Sequence, residues 1–191
     1  KTGRGFSVLV CKGQDDHLEG NHPGITLVES PVACLDRATT GLFDHIVVVF
    51  NAEAGVGKEI FLELCRVLRR NSHSCGIPVT ALLPSIHRQL LQELAESGVE
   101  YAFPGSSDNN LSLPILEDML EKEDPENYID RMLDRICPFV NYKSLDQTRD
   151  MRVCGACNDC MVLGPQLLKN LCHMKGYSEC RYFLRKKSGK K

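Results

Sequence analysis

Short apolar runs and helical stripes alternate through the first hundred positions of this chain. Ser7–Cys11 (SVLVC), Ile25–Val28 (ITLV), His45–Phe50 (HIVVVF), Ile77–Leu83 (IPVTALL) and Val99–Phe103 (VEYAF) read as strands. The runs at 45–50 and 77–83 lack polar alternation, as expected of strands covered on both faces in a parallel sheet. Between them, Ile60, Phe61, Leu64, Val67 and Leu68 fall on one helical stripe, and Ile86, Leu90, Leu91, Leu94 and Ala95 on another. Ser85 stands at a plausible N-cap of the second helix and Gly98 at its C′ position. Pro31–Leu42 predicts a shorter helix. The rhythm predicts a doubly wound α/β sheet. Only residues 12–24, rich in Gly, Pro, Asn and Asp, separate the first two strands. Either that crossover is abbreviated or the first strand pairs differently.

The pattern changes after Gly105. Ser106–Asn110 is a polar linker, Pro114–Lys122 begins a helix, and Pro125–Arg135 continues as another. A polar stretch then leads from Cys137-Pro138 to Asp150, and Gln166–His173 predicts a short helix. The expected division is a receiver-like α/β domain over 1–122, then a helical linker, Cys-rich module and basic tail over 123–191.

The cysteines change the picture most. Ten are present, in a chain with 42% hydrophobic residues, 25% charged residues and a net charge of −2. No apolar run reaches the length of a membrane span, and no signal-peptide pattern opens the chain. The expectation is a cytoplasmic protein with reduced thiols, used for packing or metal ligation. Cys11, Cys34, Cys65 and Cys75 sit beside apolar neighbours and read as small core residues. Cys154, Cys157, Cys160, Cys172 and Cys180 follow C-x2-C-x2-C-x11-C-x7-C. Thiolates this dense can converge on one metal centre, and these five are the expected ligands. The triplet resembles the opening of a bacterial ferredoxin motif, but Gly164 stands where its fourth cysteine would fall. The remaining thiolate must come from Cys172 or Cys180, with Cys137 as an outside candidate. A 4Fe-4S cluster ranks ahead of structural zinc, which would use Cys154/Cys157 with Cys172/Cys180 and leave Cys160 spare.

Residues 25–122 resemble a response-regulator receiver domain, through the run from Ile25 to Phe50, the helix after Gly57, Ile77–Pro84 and Gly98–Pro104. That family carries a phosphoacceptor Asp, a Thr or Ser, and a Lys at the ends of its third, fourth and fifth strands. Here those neighbourhoods read Val49-Phe50-Asn51, Leu82-Leu83-Pro84 and Phe103-Pro104, and the acidic pair is displaced to Asp15-Asp16. Without these groups nothing forms an aspartyl phosphate or holds Mg2+. The resemblance implies a degenerate pseudo-receiver that does not accept phosphate.

Two other motifs rank below plain loops. Ala54–Glu59 (AGVGKE) lacks the first P-loop glycine and the Mg2+-binding hydroxyl, while Asp15–Gly20 (DDHLEG) resembles a corrinoid loop without the helix that should follow. No nucleophilic triad or carboxylate pair stands out. The expected function is therefore a non-enzymatic regulatory or accessory protein. Its pseudo-receiver docks a protein partner or larger complex, and its metal centre stabilises the extension or senses redox state. One alternative is an electron-transfer iron–sulfur subunit of a larger oxidoreductase. A further one is a zinc-dependent nucleic-acid-binding protein, ranked last because only six basic tail residues support it.

Overall fold

Five parallel strands form the central sheet in the order β2-β1-β3-β4-β5: β1 (Val8–Cys11), β2 (Ile25–Val28), β3 (His45–Val49), β4 (Val79–Leu83) and β5 (Tyr101–Pro104). The coordinates are a computed structural model that describes residues 7–13, 24–50, 57–104, 120, 124–144, 150–158 and 160–189. The order 2-1-3-4-5 is that of flavodoxin-like and receiver-like sheets. It settles how the first strand pairs: β1 lies between β2 and β3, parallel to both, with Val8 opposite Ile25 on one side and His45 on the other. The linking residues 14–23, which include Asp15–Gly20, lie outside the described residues, as do Ala54–Val56 of Ala54–Glu59.

Alternation divides the sheet residues between two apolar layers. Leu9, Cys11, Ile46, Val48, Ala81 and Leu83 share one buried cluster with α1 (Pro31–Thr40), α2 (Lys58–Arg70) and α3 (Arg88–Glu96). Val8, Val10, Val47, Leu82 and Phe103 share the other, where Leu120 packs. Burial on both faces explains the unbroken apolar runs. Ser30 caps α1 by accepting from the Ala33 N–H at 3.2 Å, with Pro31 in the first turn. The cap expected at Ser85 is corrected: α3 starts later, at Arg88, with His87 in the cap position and Ser85 Oγ 2.6 Å from its Nε2. Gly98 does end the helix, at φ +80°. A Cβ there would sit 2.6 Å from Arg69 Cγ. Arg69 cannot yield easily, because its guanidinium donates to the carbonyls of Gly98, Cys75 and Ile77 and pairs with Glu100.

The α/β core extends further than the sequence pattern suggests. Helix α4 (Ile129–Arg135) packs on α3, and Ile129 and Ile136 belong to the larger cluster. Arg88 Nη1 donates to the carbonyls of Leu133 and Ile136, satisfying carbonyls at the end of α4. The larger apolar cluster therefore runs on to Ile136, and a third cluster begins at Cys137.

Beyond Ile136, the expected helical extension is corrected in part. β6 (Val140–Ser144) and β7 (Asp150–Cys154) form an antiparallel pair with Val140 opposite Cys154. The pairing supplies the backbone partners that the polar stretch lacks as a lone segment. A short α-turn, Pro165–Leu167, runs into a π-turn, Leu168–Cys172. A 3-10 turn, Lys175–Glu179, precedes α5 (Arg181–Lys187). Among the described residues no helix is long and apolar enough to cross a membrane.

Candidate metal centre

On the carboxyl edge of the sheet, where a receiver domain holds its phosphate, the ends of β3 and β4 are apolar. Phe50 after β3 is buried against Phe61, with ring centroids 5.6 Å apart, and β4 closes on buried Leu83. Lys12, buried beyond β1, lies 3.7 Å from the Glu29 carboxylate beyond β2. Asn51 and Asp15-Asp16 lie outside the described residues.

The chemistry gathers instead in the last fifty residues. A third apolar cluster holds Cys137, Val140, Cys154, Leu163, Leu168 and Cys172, with Phe139, Cys157, Tyr177 and Phe183 packed against it. Beside it lies a half-open pocket of about 680 Å³ whose lining residues include Cys137, Cys154, Cys172 and Cys180. Each comes from a different element. Cys137 stands in the turn before β6, Cys154 ends β7, Cys172 ends the π-turn, and Cys180 immediately precedes α5. Backbone hydrogen bonds fix them: Cys137 N–H donates to the Cys172 carbonyl at 2.7 Å, Cys154 N–H to Met161 at 2.9 Å, and Cys180 N–H to Tyr177 at 3.0 Å.

Of the five expected ligands, Cys154, Cys172 and Cys180 face this cavity. Cys157 and Cys160 do not line it. The turn Gly155–Cys157 ends at Asn158, which adopts the left-handed conformation (φ 53°) and reverses the chain. Cys160 is consequently exposed, with its sulfur 3.5 Å from the Asn158 carbonyl. Cys157 is half-buried at the rim of a separate cleft shared with Tyr182, Arg185 and Lys186. Cys137, the outside candidate, lines the cavity as well. The signal that could have found it is its position in Ile136-Cys137-Pro138-Phe139, a cysteine between apolar residues just before a chain turn.

Electrostatics couple the four groups. The Cys172 thiol is pushed up to about 11, first by burial and then by Cys137, Cys154 and Cys180. Cys137 is also raised, chiefly by burial, while a hydrogen bond from the Phe139 N–H to its sulfur works in the opposite direction. To act as ligands, the Cys137 and Cys172 thiols must lose their protons to solvent as a metal binds, and the metal's charge then offsets the mutual repulsion of the thiolates. Among the described residues no three Cys, His, Asp or Glu side chains converge on a single ion.

The module is tied to the α/β body beside these thiols. Tyr142 on β6 stacks on His87 at 3.8 Å between centroids and 13° between planes. Its hydroxyl donates to the Ile86 carbonyl at 3.1 Å and lies 3.3 Å from Nε2 of His173, the residue after Cys172. Tyr177 donates to the Asp134 carbonyl at 3.3 Å.

Fold and site together define an α/β protein of flavodoxin-like and receiver-like strand order with a thiol-lined module appended. No protein-family model matches the chain, and no curated protein does. Among solved structures it is similar to the chemotaxis response regulator CheY4 of Vibrio cholerae, at 14% identity and a TM-score of 0.44, over 62% of this chain and 98% of that one. The fold assignment rests on the strand order, not on that similarity.

Proposed function

We propose that this chain is a non-enzymatic regulatory or accessory protein. Its receiver-like body docks a protein partner, and a cysteine-ligated metal centre, iron–sulfur ahead of zinc, stabilises the C-terminal module or senses redox state. The observation that carries the reading is the cavity walled by four thiols from four elements, in a module hydrogen-bonded to the start of α3. Soft thiolate sets suit iron–sulfur clusters and zinc above harder cations. The apolar ends of β3 and β4 support a body that works by contact instead of phosphoryl transfer.

The test is anaerobic purification of the full chain, followed by its visible spectrum with iron, sulfide and zinc analysis. Brown protein containing iron and sulfide supports the reading, and redox titration then separates a sensor from an electron carrier. Colourless protein holding one zinc makes the module structural. Protein with neither overturns the metal centre altogether.

A further inference from the structure

The contiguous triplet is the obvious place to put a metal, yet the fold directs its members differently. Cys154 faces the cavity, the left-handed turn at Asn158 carries Cys160 to the surface, and Cys157 borders another cleft. The fourth wall of the cavity is supplied by a residue seventeen positions upstream of Cys154, held against Cys172 by the 2.7 Å backbone hydrogen bond. We propose that Cys137, Cys154, Cys172 and Cys180 are the four ligands of a 4Fe-4S cluster seated in this cavity, and that Cys157 and Cys160 are not ligands. The inference rests on the reading of the module as a metal centre and deepens it by assigning both the ligand set and the cluster type.

Three observations carry the assignment. The first is the lining. Four thiols from four separate elements border one half-open pocket of about 680 Å³ beside the apolar residues of the module. The second is the spread of the thiols. A tetrahedral zinc with bonds of about 2.3 Å gathers its sulfurs to within roughly 4 Å of one another. The thiols here are distributed around the wall of a pocket of about 680 Å³. A cube binds one thiolate at each of four separate irons, and so accepts ligands arranged around its outside. The third is the surrounding chemistry. Arg181 lines the pocket, and a cation there stabilises the excess negative charge of a thiolate-ligated cluster. On ligation four sulfur–iron bonds form and each thiol releases its proton to solvent.

The experiment compares the full-length chain with Cys137→Ser and with the double variant Cys157→Ser/Cys160→Ser, all purified anaerobically and assayed for iron, sulfide and zinc. The wild type is expected to hold about four irons and four sulfides. The double variant should retain this content, and Cys137→Ser should lose at least half of it. Should Cys137→Ser fail to fold, alkylation of the cluster-loaded wild type decides the matter. Cys157 and Cys160 should react in the native state, with Cys137, Cys154, Cys172 and Cys180 reacting only after the iron is removed. A double variant stripped of iron, or Cys157 and Cys160 shielded until iron removal, overturns the ligand assignment while leaving the cluster reading intact. A wild type with zinc and no sulfide overturns the cluster type, and a metal-free wild type removes the underlying reading as well.

Discussion

His45 shows what burial does to a titratable residue placed in a strand. Desolvation, followed by the charge of Arg69, lowers it from 6.5 to about 4, and its Nε2 lies 2.6 Å from Thr80 Oγ1. The Tyr101 ring stands against it at 6.3 Å. A histidine lowered in the folded state supports stability above its unfolded value, and that support is lost as pH falls through the folded value. Stability of the α/β body should therefore decline between about pH 6.5 and pH 4, by roughly 3 kcal/mol from this group. His45→Gln should flatten that part of a urea-denaturation pH series; an unchanged slope would assign the effect elsewhere. Gly98 is a second residue whose identity is set by geometry. Its φ of +80° and the 2.6 Å approach of Arg69 Cγ predict that Gly98→Ala costs about 1–3 kcal/mol. The denaturation midpoint should fall with the m-value unchanged.

Among elements, α4 is the one whose allegiance the sequence obscures. Its short stripe Ile129, Met132, Leu133 and Ile136 sits in a strongly acidic neighbourhood and reads as part of a linker. In the structure it closes the row of helices beside α3, with Ile129 only 1% exposed. Ile129→Ala should cost about 2–5 kcal/mol and lower the transition of the α/β body. A loss confined to the module would contradict this placement. The β6–β7 pair was concealed for a related reason. Val140–Ser144 and Asp150–Cys154 are too polar to announce strands, and their pairing is favoured by packing over the cysteine cluster more than by propensity.

For the whole molecule, the question is whether the two packed regions stand or fall together. Their cores are separate, but Tyr142 and Tyr177 bridge them, through the Ile86 carbonyl and His87 ring and through the Asp134 carbonyl. Chelation or oxidation of the metal centre should abolish hydrogen-exchange protection in 140–144 and 150–154. The amides of β1, β3 and β4 should stay protected, and partial loss should appear at Ile86–Arg88, where the bridge lands. A single cooperative transition across both regions would refute the two-part picture.

The sequence by itself determined the five strands, three of the helices and the apolar ends of β3 and β4, because these depend on local period and on burial on both faces. It also marked Cys154, Cys172 and Cys180 by their density. Only the tertiary structure decided that β1 pairs with both β2 and β3, that α4 belongs to the α/β core, and that Cys137 shares a cavity with three distant thiols. It likewise turned Cys160 outward from a triplet whose spacing favoured convergence. Spacing along a chain limits which residues can meet, but turns such as the one at Asn158 and pairings such as Val140 with Cys154 select those that do.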